Sequence, residues 1–222
     1  MGSQDRLPCK DAPPESPPGP GAQAILRVAE ALVAEKGFDA VSVNDIAREA
    51  SVSKANVFHH FKSKEGLYLE VLRHACRHSA RALDAALAES SADPHVRLQQ
   101  FFFHHLRALL EHAQSSRLLQ RALLEGASQR GRELAEEVFA HHFSRLVELV
   151  RAGQSSGCLR RDFDPALLAF LLVGASAFFF ETRAVLRHLP EVTFAERPER
   201  YGSAVFDLLA RGFARAPGEV GR

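Results

Sequence analysis

Apolar residues recur at helical spacing along most of the chain, and this periodicity constrains the fold more than any other feature. Ile25, Val28, Ala29, Leu32 and Val33 begin the pattern. Later segments repeat it without the strict alternation that is typical of strands. The sequence contains neither an internal repeat nor a glycine-rich phosphate loop. It therefore predicts an all-α fold.

Capping residues, prolines and glycines divide this pattern into separate helices. Gly37 predicts a left-handed cap that ends the first helix, and Ser42 opens a short helix in a capping-box-like start with Asp45. The Asp93-Pro94 and Asp164-Pro165 pairs predict N-caps with proline in the first helical position. Later helices are expected at about 93–113, 118–129, 134–152, 165–188 and 198–214, with breaks at Gly153 and Gly157.

The composition of the chain changes at about residue 22. Residues 1–21 hold six of the 11 prolines and few large apolar side chains. Such a segment cannot bury enough surface to offset the entropy of ordering it, so we expect a disordered tail. The remaining chain is predicted to form a three-helix domain at 22–67, a larger helical domain at 68–215 and a flexible C-terminus at 216–222.

Cysteine usage and hydropathy predict a soluble protein of a reducing compartment. The three cysteines are widely spaced and form no CxxC motif, which argues against a disulfide framework and favours the cytoplasm. The longest apolar run without charge, 165–180, has 16 residues. A membrane span needs about 18 to 20 residues, so a buried helix and no membrane partner are expected.

Two short helices joined by Ser51-Val52-Ser53, with a helix before them, form a helix-turn-helix pattern. The second helix of this motif lies in the major groove of DNA. Between residues 48 and 64, four basic residues stand against one acidic residue, so positive charge is concentrated where phosphates would lie. The residues predicted to contact DNA are Ser42, Ser53, Lys54, Ala55, Asn56, Phe58, His59, His60 and Lys64.

Two of these residues have distinct predicted roles. The Asn56 amide offers a donor and an acceptor to an adenine edge. Lys64 stands with free backbone amides at the start of the following long helix, which is a natural position for a phosphate. Val57 and Phe61 are expected to face inward.

The segments 41–50, 52–54 and 58–67 together resemble the DNA-binding domain of the TetR family of repressors. The resemblance covers about residues 22–70, with a weaker likeness at 157–165. It implies a homodimer whose helices near 165–188 and 198–214 form a four-helix interface, and a repressor released by a small molecule. Ser51 stands where the family usually has glycine, so backbone strain of about 1 kcal/mol is expected. Phe58 replaces the usual tyrosine and lacks its hydroxyl.

The regulatory domain is rich in phenylalanine and leucine, which predicts an apolar cavity between helices 93–113, 134–152 and 165–188. We therefore expect a small hydrophobic effector, although no ligand-binding residue is assigned. The candidates for polar groups in the cavity are His104, His105, His141, His142 and Arg183. The apolar helix 165–188 supports a homodimer, and a charge at Leu171 or Phe179 is expected to disrupt it.

Three other functions are alternatives to an effector-released repressor. His74 and His78 have the i, i+4 spacing of metal ligands, which leaves open a metal-responsive regulator, although no metal ligand is assigned. A helical architectural protein could use the same motif for non-specific DNA binding. An enzyme is not expected, because no nucleophile–base pair, carboxylate dyad or cofactor motif is found, and no cofactor is predicted.

Overall fold

The computed structural model describes residues 19–88 and 93–213, without the side chains of 125–129. Within these residues the all-α prediction is confirmed. The helices are α1 Pro20–Lys36, α2 Val43–Glu49, α3 Lys54–Phe61, α4 Lys64–Ala88, α5 Pro94–Glu111, α6 Ala113–Leu134, α7 Ala140–Ser156, α8 Pro165–Leu186 and α9 Pro198–Phe213. The predicted disordered tail of 1–21 lies outside the described residues as far as residue 18, but Pro20 and Gly21 belong to the first turn of α1 instead; the flexible C-terminus predicted at 216–222 lies outside the described residues.

Most helix starts follow from the capping residues in the sequence. The Asp93 side chain accepts a hydrogen bond from the backbone N–H of His95 at 2.9 Å and opens α5. The Asp164 carboxylate accepts one from the N–H of Ala166 at 2.8 Å and opens α8. Gly157 ends α7 in the left-handed conformation, with φ 79°. These local signals therefore set the starts of α5 and α8 and the end of α7.

Two predicted breaks are wrong. The chain is helical from residue 113 to 156, because a π-helical turn at Ala135–Phe139 joins α6 to α7. Gly153 lies inside α7 and is buried, and a Cβ there would clash with the Leu159 side chain at 2.5 Å. This glycine permits close packing of the following loop rather than ending a helix.

The end of α1 also differs from the prediction. Gly37 has a positive φ of 83°, as a cap requires, but its ψ of 160° lies outside the left-handed helical region. This backbone conformation is accessible essentially to glycine alone. The chain therefore leaves α1 extended, and Phe38 packs on the core beside Tyr68, with 4.3 Å between ring centroids.

In the described part of the chain, the helices pack around two hydrophobic cores. The first core contains residues of the four helices from α1 through α4, of α6 and of the π-helical turn. Three of its residues, Val71, Leu118 and Leu119, lie beyond the predicted domain boundary at residue 67. The second is formed by α4, α5, α7, α8 and α9. Because the first core contains residues of α6, the N-terminal helices are packed on the regulatory helices, and the division at residue 67 stays a prediction.

Helix α8 is only partly covered by the rest of the chain. Among the described helices, it is long and apolar enough to cross a membrane by length and composition, and 28% of its most apolar window is buried. Core helices of soluble proteins meet the same two criteria. The exposed apolar residues of α8 are Leu167, Phe170, Leu171, Phe178 and Val185.

Candidate DNA-binding interface and regulatory cavity

Helix α2 starts with a complete capping box. The Ser42 Oγ accepts a hydrogen bond from the backbone N–H of Asp45 at 3.1 Å, and an Asp45 carboxylate oxygen accepts one from the backbone N–H of Ser42 at 3.1 Å. The hydrogen bonds from Ser42 lower the pKa of Asp45. The sequence therefore predicted the start of α2 correctly. The Ser42 side chain is exposed, but its hydroxyl is already engaged in this cap.

The turn between α2 and α3 is a Schellman motif. The N–H of Val52 donates to the carbonyl of Ala47 at 2.9 Å, and the N–H of Ser51 donates to that of Arg48 at 3.1 Å. Ser51 has a φ of 56°, which a non-glycine residue adopts at a cost of about 1 kcal/mol. The strain that the sequence predicts at this position is therefore present.

Helix α3 buries one side and exposes the other. Val57 and Phe61 pack in the first core, as the sequence predicts, and the Ser53 hydroxyl caps the helix by accepting from the N–H of Asn56 at 3.1 Å. The predicted DNA-contacting residues of α3 are all exposed: Lys54, Ala55, Asn56, Phe58, His59 and His60. The helix therefore presents to solvent a surface of polar and small residues together with the ring of Phe58.

These exposed residues are not equally placed. At about 100° per residue, Ala55 and His59 lie opposite the buried side of α3, and Asn56 lies beside them. His60 is on the flank that faces α1, where its Nε2 lies 3.8 Å from the position of a Cβ on Gly21. The centre of the outward face is thus formed by Ala55, Asn56 and His59.

Lys54 and Phe58 occupy the other flank of α3. The Lys54 amine lies 5.8 Å from the centroid of the Phe58 ring, within the range of a weak cation–π contact. Phe58 is 38% exposed. This ring therefore supplies apolar surface at the position where the resemblance predicts a tyrosine hydroxyl.

Lys64 lies at the first position of α4 and is partly buried. Its amine donates to the carbonyl of Asp39 at 3.4 Å and lies 4.5 Å from the centroid of the Phe38 ring. The Ser63 hydroxyl accepts from the N–H of Gly66 at 2.9 Å, so one of the amides expected to be free at this helix end is capped. Gly66 is required there, because a Cβ would collide with the carbonyl of Phe61.

Two further basic residues join this surface without having been singled out individually in the sequence. Lys62 ends α3 in a strained conformation with φ 64° and is exposed. The Arg48 side chain is 76% exposed and pairs with Asp45 at 3.0 Å. The local excess of basic residues is the signal that could have identified both of them.

A cavity of about 470 Å³ opens in the regulatory half of the chain. Its volume is typical of sites for small organic ligands. The predicted walls from α5, α7 and α8 are present, but α4 and α6 also contribute, which periodicity did not reveal. Of the five polar candidates, His105 and His142 line the cavity. Arg183 instead donates to the carbonyl of Ala195 at 2.8 Å.

The other histidine pair, His74 and His78 on α4, contacts residues of neighbouring segments. His74 Nδ1 lies 2.8 Å from a Glu30 carboxylate oxygen, and the Ser115 hydroxyl donates to the other oxygen. Burial raises the pKa of Glu30, but the hydrogen bonds from His74 and Ser115 outweigh it and hold that pKa below its ordinary value. His78 stacks on His112 with 3.6 Å between centroids. Among the described residues, no group of three or more possible ligands is placed to hold a metal.

The described cysteines differ in environment. Burial raises the pKa of Cys76 to about 11, so its thiol is protonated at neutral pH. Cys158 is exposed in the loop that precedes α8. Cys76 lines the cavity and contributes a protonated, weakly polar thiol to its wall.

Two family profiles match the chain over most of the described structure. Residues 25–71 match the profile described as bacterial regulatory proteins of the tetR family, which contains α2, α3 and the start of α4. Residues 94–205 match the profile described as a tetracyclin repressor-like C-terminal domain, which accounts for half of the chain. The chain belongs to the TetR family. It is a DNA-binding transcriptional regulator, as the helix-turn-helix residues indicate.

Relatives support this assignment. The chain is 31% identical over 145 residues to the HTH-type transcriptional repressor KstR2 of Mycobacterium tuberculosis, covering 65% of this chain and 72% of that protein. It is 30% identical over 155 residues to the HTH-type transcriptional regulator RutR of Escherichia coli K12, covering 68% and 69%. A TetR-family regulator from Shewanella sp. PV-4 has the same fold, with a TM-score of 0.67, 24% identity and coverage of 88% and 99%.

Membership of the TetR family bears on two further expectations. Proteins of this family are in general transcription factors rather than enzymes, and the relatives of this chain are soluble DNA-binding regulators. Family members bind operator DNA and small effectors, and dimers are typical among them.

Proposed function

We propose that this chain is a homodimeric, cytoplasmic repressor that inserts α3 into the major groove of an operator and leaves it when a small hydrophobic effector binds. The observation that supports this proposal most directly is that α3 has two different sides. Val57 and Phe61 are packed in the core, and the residues on the opposite face are exposed. KstR2, with which the chain shares 31% identity, is an HTH-type transcriptional repressor. The chain is proposed to act by binding and not by catalysis.

In the proposed DNA complex, α3 supplies the base contacts. Ala55 permits close approach, Asn56 pairs with a base edge, and His59 projects between them into the groove. Lys54, Ser53, Phe58 and His60 form the flanks, and Ser42 borders the groove at the start of α2. Lys64 contacts a phosphate after its amine leaves the carbonyl of Asp39.

The proposed homodimer uses the exposed side of α8 and the adjoining α9. Phe178 is 69% exposed and Leu208 of α9 is 68% exposed. Apolar surface of this extent is uncommon on a soluble monomer, and a second copy of the same face would cover it. Phe179, which the sequence placed in the interface, is instead buried and stacks on Tyr201 with 4.0 Å between centroids.

Selection of sites from a random double-stranded DNA library tests the proposed function. We expect enrichment of a pseudo-palindromic site, because two copies related by a two-fold axis read two half-sites. Fluorescence anisotropy should then show sequence-specific binding to that site. If no sequence is enriched and binding is equal for all DNA, the architectural alternative is correct and operator recognition is not.

A side-by-side titration of the DNA complex separates the proposed effector class from the metal-responsive alternative. We expect hydrophobic compounds to release the DNA and divalent zinc or nickel to leave it bound. No observation on the described residues favours metal control. Release by a metal alone, abolished by chelator and by His74→Ala, would contradict the hydrophobic effector.

A further inference from the structure

The walls of the cavity carry no cationic or acidic side chain among the residues whose side chains are described. Leucine, phenylalanine, alanine and valine side chains from α4 to α8 make up most of the lining. A charged ligand that entered this cavity would lose its hydration without gaining an opposite charge, which costs several kcal/mol. The cavity therefore favours a molecule without charge.

Two of the polar groups on the wall are already satisfied by the protein. The Ser116 hydroxyl shares its one hydrogen between the carbonyls of Leu109 and His112, which lie 3.1 and 3.0 Å from its oxygen. The Gln120 amide donates to the carbonyl of Ala177 at 3.2 Å. These two side chains therefore fix neighbouring helices to one another and have less capacity left for a ligand.

Two imidazoles on the cavity wall each have a ring nitrogen without a hydrogen-bond partner among the described residues. Nδ1 of His105 on α5 and Nδ1 of His142 on α7 are buried, and neither has a hydrogen-bond partner among the described residues. A buried polar nitrogen without a partner is uncommon and needs an explanation. Both Nδ1 atoms are shielded in this arrangement, so a ring must turn to present its Nδ1 to a ligand, and no described residue holds either Nδ1 with a hydrogen bond.

Both rings favour the neutral form. Burial lowers the pKa of His105 to about 4. Burial also lowers the pKa of His142, and the nearby His141 and Arg145 lower it further. A neutral imidazole offers one donor and one acceptor, which matches a hydroxyl or a carbonyl and does not neutralise an anion.

We propose that the effector is an uncharged, mainly apolar molecule with one hydroxyl or carbonyl head group, and that His105 and His142 hydrogen-bond this head. The inference rests on the proposed function, in which the cavity is the effector site. The remaining walls bind the apolar body of the ligand. The structure thus assigns separate tasks to the two histidines and to the leucine and phenylalanine side chains.

Direct binding of naphthol, naphthalene and naphthoate tests this assignment, with naphthyl fluorescence as the signal, because the chain contains no tryptophan. We expect naphthol to bind about three to ten times more tightly than naphthalene, and naphthoate to bind most weakly. His105→Phe and His142→Phe should each weaken naphthol binding by about three- to tenfold and leave naphthalene binding unchanged. Circular dichroism checks that each variant is folded.

The tandem histidine pairs supply matched controls. His104 contacts the Arg107 guanidinium, and His141 is exposed, so His104→Phe and His141→Phe should leave naphthol binding unchanged. Equal naphthol affinity in the wild type and both cavity variants, or tightest binding of naphthoate, would overturn the head-group assignment. If the expected affinities are found but no probe releases operator DNA, the effector role of the cavity fails while the assignment stands. Absence of binding by all three probes would overturn both.

Discussion

His105 lines the cavity, and its lowered pKa makes the stability of the folded chain depend on pH. It is 5% exposed, and its pKa falls to about 4 in the folded chain. In the unfolded chain the pKa of histidine is about 6.5, so the unfolded state binds more protons between these two values. The stabilisation from a neutral His105 is therefore complete above pH 6.5 and is lost as the pH falls toward 4.

Replacing His105 by phenylalanine should reduce this pH dependence. A single group of this kind changes the free energy of unfolding by about 1.4 kcal/mol per pH unit, or about 3 kcal/mol over the whole range. We expect His105→Phe to lose less stability than the wild type between pH 6.5 and 4 in urea unfolding followed by circular dichroism. His104→Phe is the control and should keep the wild-type slope. Equal slopes in the wild type and His105→Phe would contradict the assigned pKa.

Among the elements, α3 and the start of α4 have different proposed tasks. Asn56 lies beside the centre of the outward face of α3, whereas Lys64 lies at the N-terminus of α4. Base contacts determine sequence preference, and phosphate contacts determine general affinity and its dependence on salt. Substitutions at the two positions should therefore have effects of different kinds.

We expect Asn56→Ala to relax the preference for one base pair by about 1–3 kcal/mol. Lys64→Ala should weaken binding to all sequences alike and lower the slope of log K against log salt by about one. Anisotropy titrations over a panel of single-base operator variants and several salt concentrations measure both effects. Gln114→Ala and Arg151→Ala, on exposed positions of the regulatory helices, are the controls. Unchanged binding in both test variants would refute the assigned interface.

Helix α6 connects the cavity with the DNA-binding helices. Ser116 and Gln120 line the cavity, and the adjacent Ser115 donates a hydrogen bond to Glu30 on α1. Further along α6, the Arg130 guanidinium lies 4.6 Å from the centroid of the Phe38 ring. A displacement of α6 by a ligand would therefore act directly on α1 and on the segment that follows it.

Replacing Glu30 by glutamine tests this connection. The pKa of Glu30 is lowered, so its stabilisation is complete above the unfolded value of about 4.5 and is lost as the pH falls below it. At pH 7 we expect Glu30→Gln to lower the free energy of unfolding by about 1–3 kcal/mol, because a buried, charged hydrogen bond to His74 is lost. Glu35→Gln, on the exposed side of the same helix, is the matched control. Equal stability of the two variants in urea unfolding would show that the Glu30 contact does not join the helices.

In the molecule as a whole, one side of α8 exposes several large apolar side chains to solvent. Leu167, Leu171, Phe178 and Val185 follow one another at helical spacing and are exposed, although the cavity and the second core occupy the opposite side. Their position is far from α3 in the sequence. Two copies joined here would carry two DNA-binding surfaces in a fixed relation to a single operator.

Phe178→Glu should therefore convert the protein to a monomer at micromolar concentration, because a charge would be buried without a partner in the interface. Affinity for the complete operator should fall by several orders of magnitude, while binding to a half-site is retained. Sedimentation velocity measures the oligomeric state. Leu124→Glu, which places the same charge on an exposed leucine of α6, should remain dimeric. A wild-type chain that sediments as a monomer would contradict this arrangement.

The sequence by itself determined most of the local structure. Helical periodicity and the caps at Ser42, Asp93 and Asp164 place the starts of α2, α5 and α8 that the structure has, because these signals act within one turn of helix. The inward positions of Val57 and Phe61 also follow from spacing alone. The helix-turn-helix, and with it the class of protein, could therefore be predicted from a short stretch of residues.

Only the tertiary structure decided which of two neighbouring, chemically similar residues is buried or lines the cavity. His105 faces the cavity while His104 does not, and Phe179 is buried while Phe178 is exposed. Adjacent helical residues point about 100° apart, and in a helix that is apolar on all sides the sequence does not mark which direction another helix will cover. That choice is made by contacts between distant segments, as is the joining of α6 to α1. The physical reason is that caps and periodicity are local, whereas burial is a property of the assembled helices.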